Sequence, residues 1–486
     1  MSLCFPTSIY IASQIIIHLP TILIFHQQPT FLCFTKAFLL LLLFLFLGWV
    51  GFIVMKGGEV REWLMVCVVV VGLNLMNGNE CEAEAQVPCY FIFGDSLVDN
   101  GNNNDLATTA KADYSPYGID FSDGPTGRFS NGKNLVDVIA ELLGFDDYIP
   151  PYATVKDQDI LGVNYDASAA SGIRDQTPQL SVGGRICMNE HSYRNTALMQ
   201  VVNILGQFLG FDNLTPPCST ERGSEGILMG VNYGSGGAGI RDETGEELGD
   251  RISMNNQLLN HQTIVSRIAT LLGGEEAAAN YLSKCIYSIG MGSNDYINNY
   301  LLPEYYPTSH LYTPEQYASA LIEEYSQQLR TLYKLGAKKM AIFALGLIGC
   351  TPAEMTTYAT NGTECVLEID NDVKLFNEQL KSLVDDLNND LTDAKFIYIN
   401  VTEISSGNLS AVGITISNAP CCIVSSNIGK GQCMPNQVPC SNRSIYAFWD
   451  GFHPTEVTNV FIGTRAYSAQ TSYDAYPIDI SSLAQL

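Results

Sequence analysis

The chain has 486 residues, 46% of them hydrophobic and 15% charged, so it can bury a large core, and its length allows one large domain or about two to three smaller ones. Its formal net charge of −25 argues against nucleic acid or an anionic membrane surface as a partner, since both attract basic patches. This composition is typical of an acidic secreted enzyme.

A long apolar run lies near the N-terminus. Residues 37–55 are rich in leucine and phenylalanine and are almost long enough to span a bilayer. Taken alone, this run would indicate a transmembrane segment or a signal anchor, and therefore a membrane-anchored enzyme.

A second, shorter leader follows that run. It has a charged start, an apolar core at 63–76 and small residues up to Ala85, which together are typical of a secretory signal peptide. We therefore predict a signal peptide at 55–85 and interpret residues 1–54 as an upstream extension that the natural protein need not contain. On this interpretation the mature protein begins near Gln86, is exported to the extracellular space and has no membrane span.

The first strand predicted beyond the leader is the apolar run 90–93, which stops at Gly94-Asp95-Ser96. Gly94 allows a sharp turn, so Ser96 would lie at the carboxyl end of a buried parallel strand, where α/β folds hold their sites. A hydroxyl nucleophile belongs at such a place. Taken alone, the tripeptide more often marks only a strand followed by a polar turn.

A predicted helix at 135–143, ended by Gly144, leads into a tandem repeat with a period of about 66 residues. Copy one covers about 141–206 and copy two about 207–273. Both copies contain a Gly-Val-Asn-Tyr sequence, and in copy two it opens the glycine-rich run 230–239. Backbone N–H groups of such a run can stabilise an oxyanion.

A second polar turn follows the apolar run 285–289, which predicts another strand. There the side-chain amide of Asn294 is a candidate oxyanion donor. The neighbouring Asp295, like Asp95 beside Ser96, could be mistaken for a general acid or base. We interpret both carboxylates as turn or orienting groups.

Helices and strands then alternate along the chain. Apolar residues at helical spacing predict helices at 316–335 and 371–391 and a last helix from about Glu456, whereas short apolar runs predict strands at 340–345 and 395–400. This alternation indicates parallel strands that are covered by helices on both faces.

Near the C-terminus, Asp450 precedes His453 by three residues. A serine hydroxyl needs a base to take its proton, and the imidazole needs a partner on its other nitrogen. His453 and Asp450 can supply both functions. The remaining histidines beyond the leader, His191, His261 and His310, have no acid at this spacing and are interpreted as surface or hydrogen-bonding residues.

Four sequence blocks, around Ser96, the glycine-rich run, Asn294 and His453, resemble in this order the plant GDSL esterase/lipase family of SGNH hydrolases. The resemblance covers about residues 86–486 and also includes Asp99. It implies an α/β fold, namely a three-layer α/β/α, flavodoxin-like arrangement with a central parallel sheet of about five strands. Ser96 does not stand in the Gly-x-Ser-x-Gly frame of the α/β-hydrolases.

The family also implies roles for individual residues, and it implies no metal and no cofactor. Ser96 would be the nucleophile and one oxyanion donor, Gly239 and Asn294 would complete the oxyanion hole, and Asp450 and His453 would complete the catalytic triad. The first hypothesis is a secreted serine esterase or lipase that cleaves small-molecule or lipid acyl esters through an acyl-enzyme. An acyltransferase or carbohydrate deacetylase with the same triad remains open, as does a non-catalytic secreted binding protein.

Only one copy of the repeated segment occurs in the family, so one copy here is surplus. Copy one has Asp166 inserted where the chain should leave a buried strand, and an unpaired buried carboxylate is costly. We therefore predict that Gly239 is the oxyanion donor, with Gly172 of copy one as the alternative. Residues from about 141 to 206 are then expected to loop out as a poorly packed insertion or to be absent from the natural transcript.

Ten of the 14 cysteines lie beyond the leader, as expected for disulfides in an exported protein. Four of them fall between Cys421 and Cys440, in a polar loop. Zinc is disfavoured because the adjacent Cys421 and Cys422 have no spare histidine nearby. Asparagines that fit an N-glycosylation acceptor sequence are Asn213, Asn361, Asn400, Asn408 and Asn442.

Overall fold

A computed structural model describes residues 85–156, 224–358, 364–407, 409–425 and 431–486. From Gln86 onward these residues belong to one compact unit, Gln86–Leu486. Several predictions lie outside the described residues: the upstream extension, nearly all of the signal peptide, Gly172, His191, Cys187, Cys218 and the acceptor asparagines Asn213, Asn361 and Asn408.

A five-stranded sheet with the order β1-β2-β3-β4-β7 forms the centre of the fold. The strands of this sheet are β1 (Tyr90–Gly94), β2 (Ile286–Gly290), β3 (Lys339–Phe343), β4 (Lys395–Ile399) and β7 (Ala475–Tyr476). The first four are parallel, as the sequence predicts, whereas β7 pairs antiparallel with β4. The predicted central parallel sheet of about five strands is therefore confirmed, and its one antiparallel member is an edge strand of two residues that carries no periodicity. A separate two-stranded sheet joins β5 (Ile416–Pro420) and β6 (Tyr446–Phe448).

Among the described residues, six helices of eight or more residues surround the sheet. They are α1 (Leu135–Leu143), α2 (Met254–Leu272), α3 (Glu275–Leu282), α4 (Pro314–Lys334), α5 (Leu367–Asp390) and α6 (Glu456–Tyr467). Their ends follow local chemistry: Asn134 and Asp137 form a capping box at the start of α1, and Gly144 ends that helix with a φ of 90°.

Shorter helical turns connect the longer elements. These are Tyr152–Val155, Ser224–Met229, Glu246–Leu248, Ser293–Asp295, Tyr296–Tyr300, Thr308–Leu311, Ile348–Cys350, Pro352–Thr357, Val401–Ser405, Leu409–Val412, Arg443–Ile445 and Ile480–Ala484.

Helices cover both faces of the sheet, which gives the predicted three layers. Phe91 and Tyr287 point into a large core that they share with the apolar residues of α2, α4 and α5. Side chains alternate along a strand, so the neighbouring Tyr90 points to the opposite face. There its ring stacks on Phe145, just after α1, and α1 packs against α6.

The glycine-rich run of copy two lies alongside β1. The Ile92 N–H donates to the Val231 carbonyl at 3.1 Å, and the N–H of Tyr233 donates to the Ile92 carbonyl at 2.8 Å. Gly230 must be glycine, because a Cβ there would lie 1.9 Å from the Tyr90 carbonyl oxygen and its φ is +117°. Copy two therefore supplies the segment that borders the nucleophile strand.

The opening of copy one is also built into the fold, which corrects the prediction that all of 141–206 loops out. Asn232 of copy two donates its N–H to the Pro150 carbonyl at 2.9 Å and accepts the N–H of Tyr152 at 2.8 Å. Leu143 and Ile149 are buried. The fold thus combines the start of copy one, up to Lys156, with copy two from Ser224 onward.

Eight cysteines of the described residues form four disulfides, as the sequence predicts: Cys89–Cys285, Cys350–Cys365, Cys421–Cys440 and Cys422–Cys433. Within the described ranges, no helix combines the length and apolar character needed to cross a membrane.

Deleting residues 157–222 should keep one complete copy of the repeated segment and every contact between Asn232 and residues 150–152. We expect the thermal unfolding temperature to stay within about 4 °C of that of the full chain, which corresponds to roughly 3 kcal/mol for a domain of this size. Deleting 207–273 is the matched control, since it removes the run beside β1 together with α2, and it should unfold the protein. Differential scanning fluorimetry decides between these outcomes, and a large loss from the first deletion would contradict the assignment.

Candidate active site

Ser96, His453 and Asp450 form a continuous hydrogen-bonded line. The Nε2 atom of His453 lies 2.7 Å from Ser96 Oγ, and its Nδ1 atom lies 2.8 Å from Asp450 Oδ2. A carboxylate can only accept, so Nδ1 donates to Asp450, and Nε2 is left to accept the serine proton. The sequence predicted these three residues as a unit, and the fold brings them within direct contact across 357 residues of chain.

The carboxylate of Asp450 is fully buried but has several donors. Its Oδ1 accepts the backbone N–H groups of Phe452 and His453 at 2.9 and 2.8 Å. Its Oδ2 also accepts the Tyr117 hydroxyl at 2.6 Å. These contacts fix the carboxylate, and the carboxylate in turn fixes the imidazole ring, which packs against Phe129 with ring centroids 4.8 Å apart.

Tyr117 was not predicted from the sequence. It is buried, and burial together with the Asp450 charge raises its pKa well above the usual value, so the hydroxyl keeps its proton and donates it. Its oxygen in turn accepts the N–H of Cys433 at 3.1 Å, and Cys433 is fixed by its disulfide with Cys422. Tyr117 and Asp450 are 333 residues apart, so no local motif could have revealed this contact.

Asn294 follows β2 and lines the same cavity as Ser96 and His453. Its amide nitrogen donates one hydrogen to the Ala238 carbonyl at 2.9 Å, and its Oδ1 accepts from Asn298. The amide orientation is thereby fixed, and Nδ2 retains a second hydrogen for another acceptor.

The glycine-rich run meets the cavity through Gly237 rather than through Gly239. Among the described residues that line the cavity, Gly237 is present and Gly239 is not. Gly239 instead lies against Asp295, where a Cβ would come 2.8 Å from the carboxylate oxygen. The role predicted for Gly239 stays a prediction, and Gly237 is the glycine of the run that borders the cavity. Sequence spacing alone could not tell which of these glycines borders the cavity.

The residues that follow Ser96 hold the glycine-rich run in place. Asp99 accepts the N–H of Gly236 at 3.0 Å, while it also accepts the N–H groups of Gly101 and Asn102 at 2.7 Å. Asn102 donates to the carbonyls of Asn232 and Gly234, and Asn103 donates to that of Gly236. The nucleophile turn and the run beside it are therefore one hydrogen-bonded body.

Asp295 holds the other end of the same run. It is fully buried and accepts the backbone N–H groups of Ile240 and Arg241, at 2.8 and 3.1 Å, and the Thr244 hydroxyl at 2.8 Å. Burial raises its pKa to about 7. These contacts are those of an orienting group that links Asn294 to the glycine-rich run.

Asp95 also serves its own turn, accepting the Leu97 N–H at 3.0 Å, and burial raises its pKa to about 6. His261 lies away from the site among aromatic rings, with its Nδ1 3.0 Å from the Tyr233 hydroxyl. Burial lowers its pKa to about 3. His310 is exposed on a short helix.

The residues near Ser96 do not suit a metal centre. The described side chains with metal-ligating atoms close together are Cys350, Cys365 and Asp370, but the two cysteines are joined in a disulfide and offer no thiolates.

The cavity beside Ser96 has a volume of about 440 Å³, within the range of small-molecule sites, and most of its wall is apolar.

Known proteins are similar to this chain in sequence. The sequence model described as GDSL-like lipase/acylhydrolase matches residues 90–200 and 182–466. Two GDSL esterase/lipases of Arabidopsis thaliana are each 45% identical to the chain over 429 residues, in alignments that cover 88% and 87% of this chain and 99% and 98% of those proteins. A third from the same plant is 42% identical over 429 residues, covering 88% of this chain and 99% of the relative.

Replacing Tyr117 with phenylalanine should lower kcat/KM for p-nitrophenyl acetate by about tenfold, the scale of one hydrogen bond to a charged group. The loss should fall on kcat rather than on KM, because Tyr117 holds the Asp450 carboxylate and does not line the cavity. Tyr114→Phe is the matched control, since the Tyr114 hydroxyl donates to the Cys433 carbonyl and not to Asp450. Equal kcat values for the two variants would contradict this role of Tyr117.

Proposed function

The chain belongs to the GDSL esterase/lipase family of carboxylic ester hydrolases, and we propose that it cleaves acyl esters through an acyl-enzyme formed on Ser96. The single observation that carries this proposal is the hydrogen-bonded line from Ser96 through His453 to Asp450. The line starts in a cavity, so a bound ester can reach the nucleophile.

In the first half-reaction, Ser96 Oγ attacks the ester carbonyl carbon while His453 Nε2 takes the serine proton. The carbonyl oxygen becomes an oxyanion, for which the Ser96 N–H, the free amide hydrogen of Asn294 and the Gly237 N–H are the proposed donors. The carbon–oxygen bond to the alcohol then breaks, and His453 returns the proton to the leaving alkoxide. An acyl ester on Ser96 remains.

In the second half-reaction, water attacks the acyl carbon and gives its proton to His453. The bond to Ser96 breaks, and the proton passes from His453 to the serine oxygen. The products are a carboxylic acid and the regenerated serine. Asp450 keeps its charge throughout and stabilises the imidazolium ion that forms twice in this cycle.

The alternatives differ in what the site would need. A carbohydrate deacetylase requires polar groups around the sugar, whereas the wall near Ser96 is mostly apolar. An acyltransferase would use the same residues with an alcohol in place of water, and product analysis separates it from a hydrolase. A non-catalytic binding protein would have no use for a serine positioned 2.7 Å from a histidine nitrogen.

Ser96→Ala and His453→Ala should each lower kcat for ester hydrolysis by a factor on the order of 10⁴ or more, since triad members act as a unit. Asn294→Ala should cost about 10²–10³, the scale of a single oxyanion donor. Rates are measured with p-nitrophenyl acetate, and a fluorophosphonate probe should label the unmodified protein but not Ser96→Ala.

His310→Ala is the control for the histidine variant, because this side chain is exposed on a short helix and does not line the cavity. It should retain full activity. Circular dichroism establishes that each variant is folded. Near-normal ester hydrolysis by the folded Ser96→Ala variant would contradict the assignment of Ser96 as the nucleophile.

We further propose that the protein is secreted after cleavage near Gln86. The four disulfides support this, because such bridges persist in oxidising compartments. N-terminal sequencing of secreted protein should begin near Gln86, and titration of the denatured protein should find at most the two thiols of Cys187 and Cys218. Secreted protein that retains residues 1–54, or that contains ten thiols, would contradict the proposal.

A further inference from the structure

The cavity at Ser96 continues inward, between the sheet and the layer formed by α1 and α6. Its wall includes Ile92 and Ser288 of the sheet, Val136 of α1, and Thr458 and Ile462 of α6. In the parallel register Ile92 lies opposite Ser288, and Gly94 lies opposite Gly290. Ile92 and Ser288 are thus two residues, about 6–7 Å, below the strand ends that precede Ser96 and Asn294.

Small residues create this space. Ser288 and Gly290 of β2 line the cavity and lie on the face of the sheet that α1 and α6 cover, because side chains alternate along each strand. Larger side chains at these two positions would extend into the gap between the layers. The hollow therefore depends on the small residues of β2.

The course of α6 gives the hollow a direction. The helix begins three residues after His453 and carries Thr458, then Asn459 and then Ile462 along the cavity wall. Ile462 lies four residues, about 6 Å along the helix axis, beyond Thr458. Among the residues of α6 that line the cavity, Ile462 is therefore the furthest from the proposed base.

The wall offers little to a polar ligand. Thr458 donates its hydroxyl to the Ala447 carbonyl at 2.9 Å, Asn459 donates its amide to the Lys133 carbonyl at 3.0 Å, and Ser288 accepts the Tyr90 hydroxyl at 2.7 Å. Among the described lining residues, Asp95 and His453 are the ionisable ones, and both lie at the mouth beside Ser96. A ligand in this inner part of the cavity therefore makes mainly apolar contacts with the wall.

We propose that this inner part of the cavity binds the acyl chain of the substrate, so that the preferred esters carry a long, unbranched, apolar acyl group, with Ile462 as a residue that sets its length. This inference rests on the proposed ester hydrolysis and names the substrate class for the same site. The acyl carbonyl stays at Ser96 while the chain extends between the sheet and α6. Residues of the sheet and of α6 line the hollow from two sides, and a linear chain can extend between them.

The test compares p-nitrophenyl laurate with p-nitrophenyl acetate. Ile462→Trp shortens the hollow, so the ratio of kcat/KM for laurate to that for acetate should fall by at least about tenfold, with acetate changed by no more than about twofold. Ile462→Ala lengthens the hollow and should raise the palmitate-to-laurate ratio. Val460→Trp is the matched control, because Val460 is 41% exposed on the same helix and does not line the cavity; it should leave both ratios unchanged.

The outcomes separate this inference from the proposed function. Hydrolysis of neither ester by the unmodified protein would refute the ester hydrolysis itself. Unchanged ratios in both Ile462 variants, or an equal loss on acetate and laurate, would overturn the acyl-chain site while leaving ester hydrolysis intact. If Ile462→Trp fails to fold, Ile462→Ala alone decides the question, because it adds no bulk.

Discussion

The geometry of the site depends on a buried carboxylate that is surrounded by donors. Removing the charge of Asp450 from water would cost several kcal/mol if it were left without partners. Here two backbone N–H groups, the Tyr117 hydroxyl and the imidazole of His453 supply them. Because the donors come from different segments, the carboxylate fixes the short loop that carries His453 and connects it to the disulfide-bonded loop around Cys433.

Two other buried carboxylates organise the opposite side of the cavity in the same way. Asp99 and Asp295 accept N–H groups at the two ends of the glycine-rich run, at Gly236 and at Ile240. The run therefore keeps a defined position between the turn with Ser96 and the turn with Asn294. Gln257 of α2 adds two hydrogen bonds to the backbone of Gly94, which fixes the start of the nucleophile turn.

Local patterns predicted much of the fold. The strand at 90–93 and the helix at 135–143 are confirmed, since an uninterrupted apolar run indicates a strand buried on both faces and Gly144 ends a helix. The antiparallel β7 has only two residues and no pattern of its own. Its pairing with β4 depends on where α6 ends in space.

The site was predictable as a set of residue types but not as a geometry. Motif order grouped Ser96 with His453 and Asp450, and the structure places them in one hydrogen-bonded line. Motif order could not reveal Tyr117, because the role of this residue arises only from tertiary contact. It also could not show which glycine of the run borders the cavity. The repeat showed a surplus copy, yet only packing shows that the start of one copy joins the rest of the other.

The distance along the chain between Ser96 and His453 has a consequence for how the protein folds. These partners are 357 residues apart, and β1 is bridged to the start of β2 across 196 residues. Contacts between such distant segments form slowly, because the entropy of closing the loop is lost before the contact is gained. The nucleophile meets its base only when the N-terminal strand and the C-terminal loop have both joined the sheet. Recovery of hydrolysis during refolding would thus report completion of the whole domain rather than the formation of any one part.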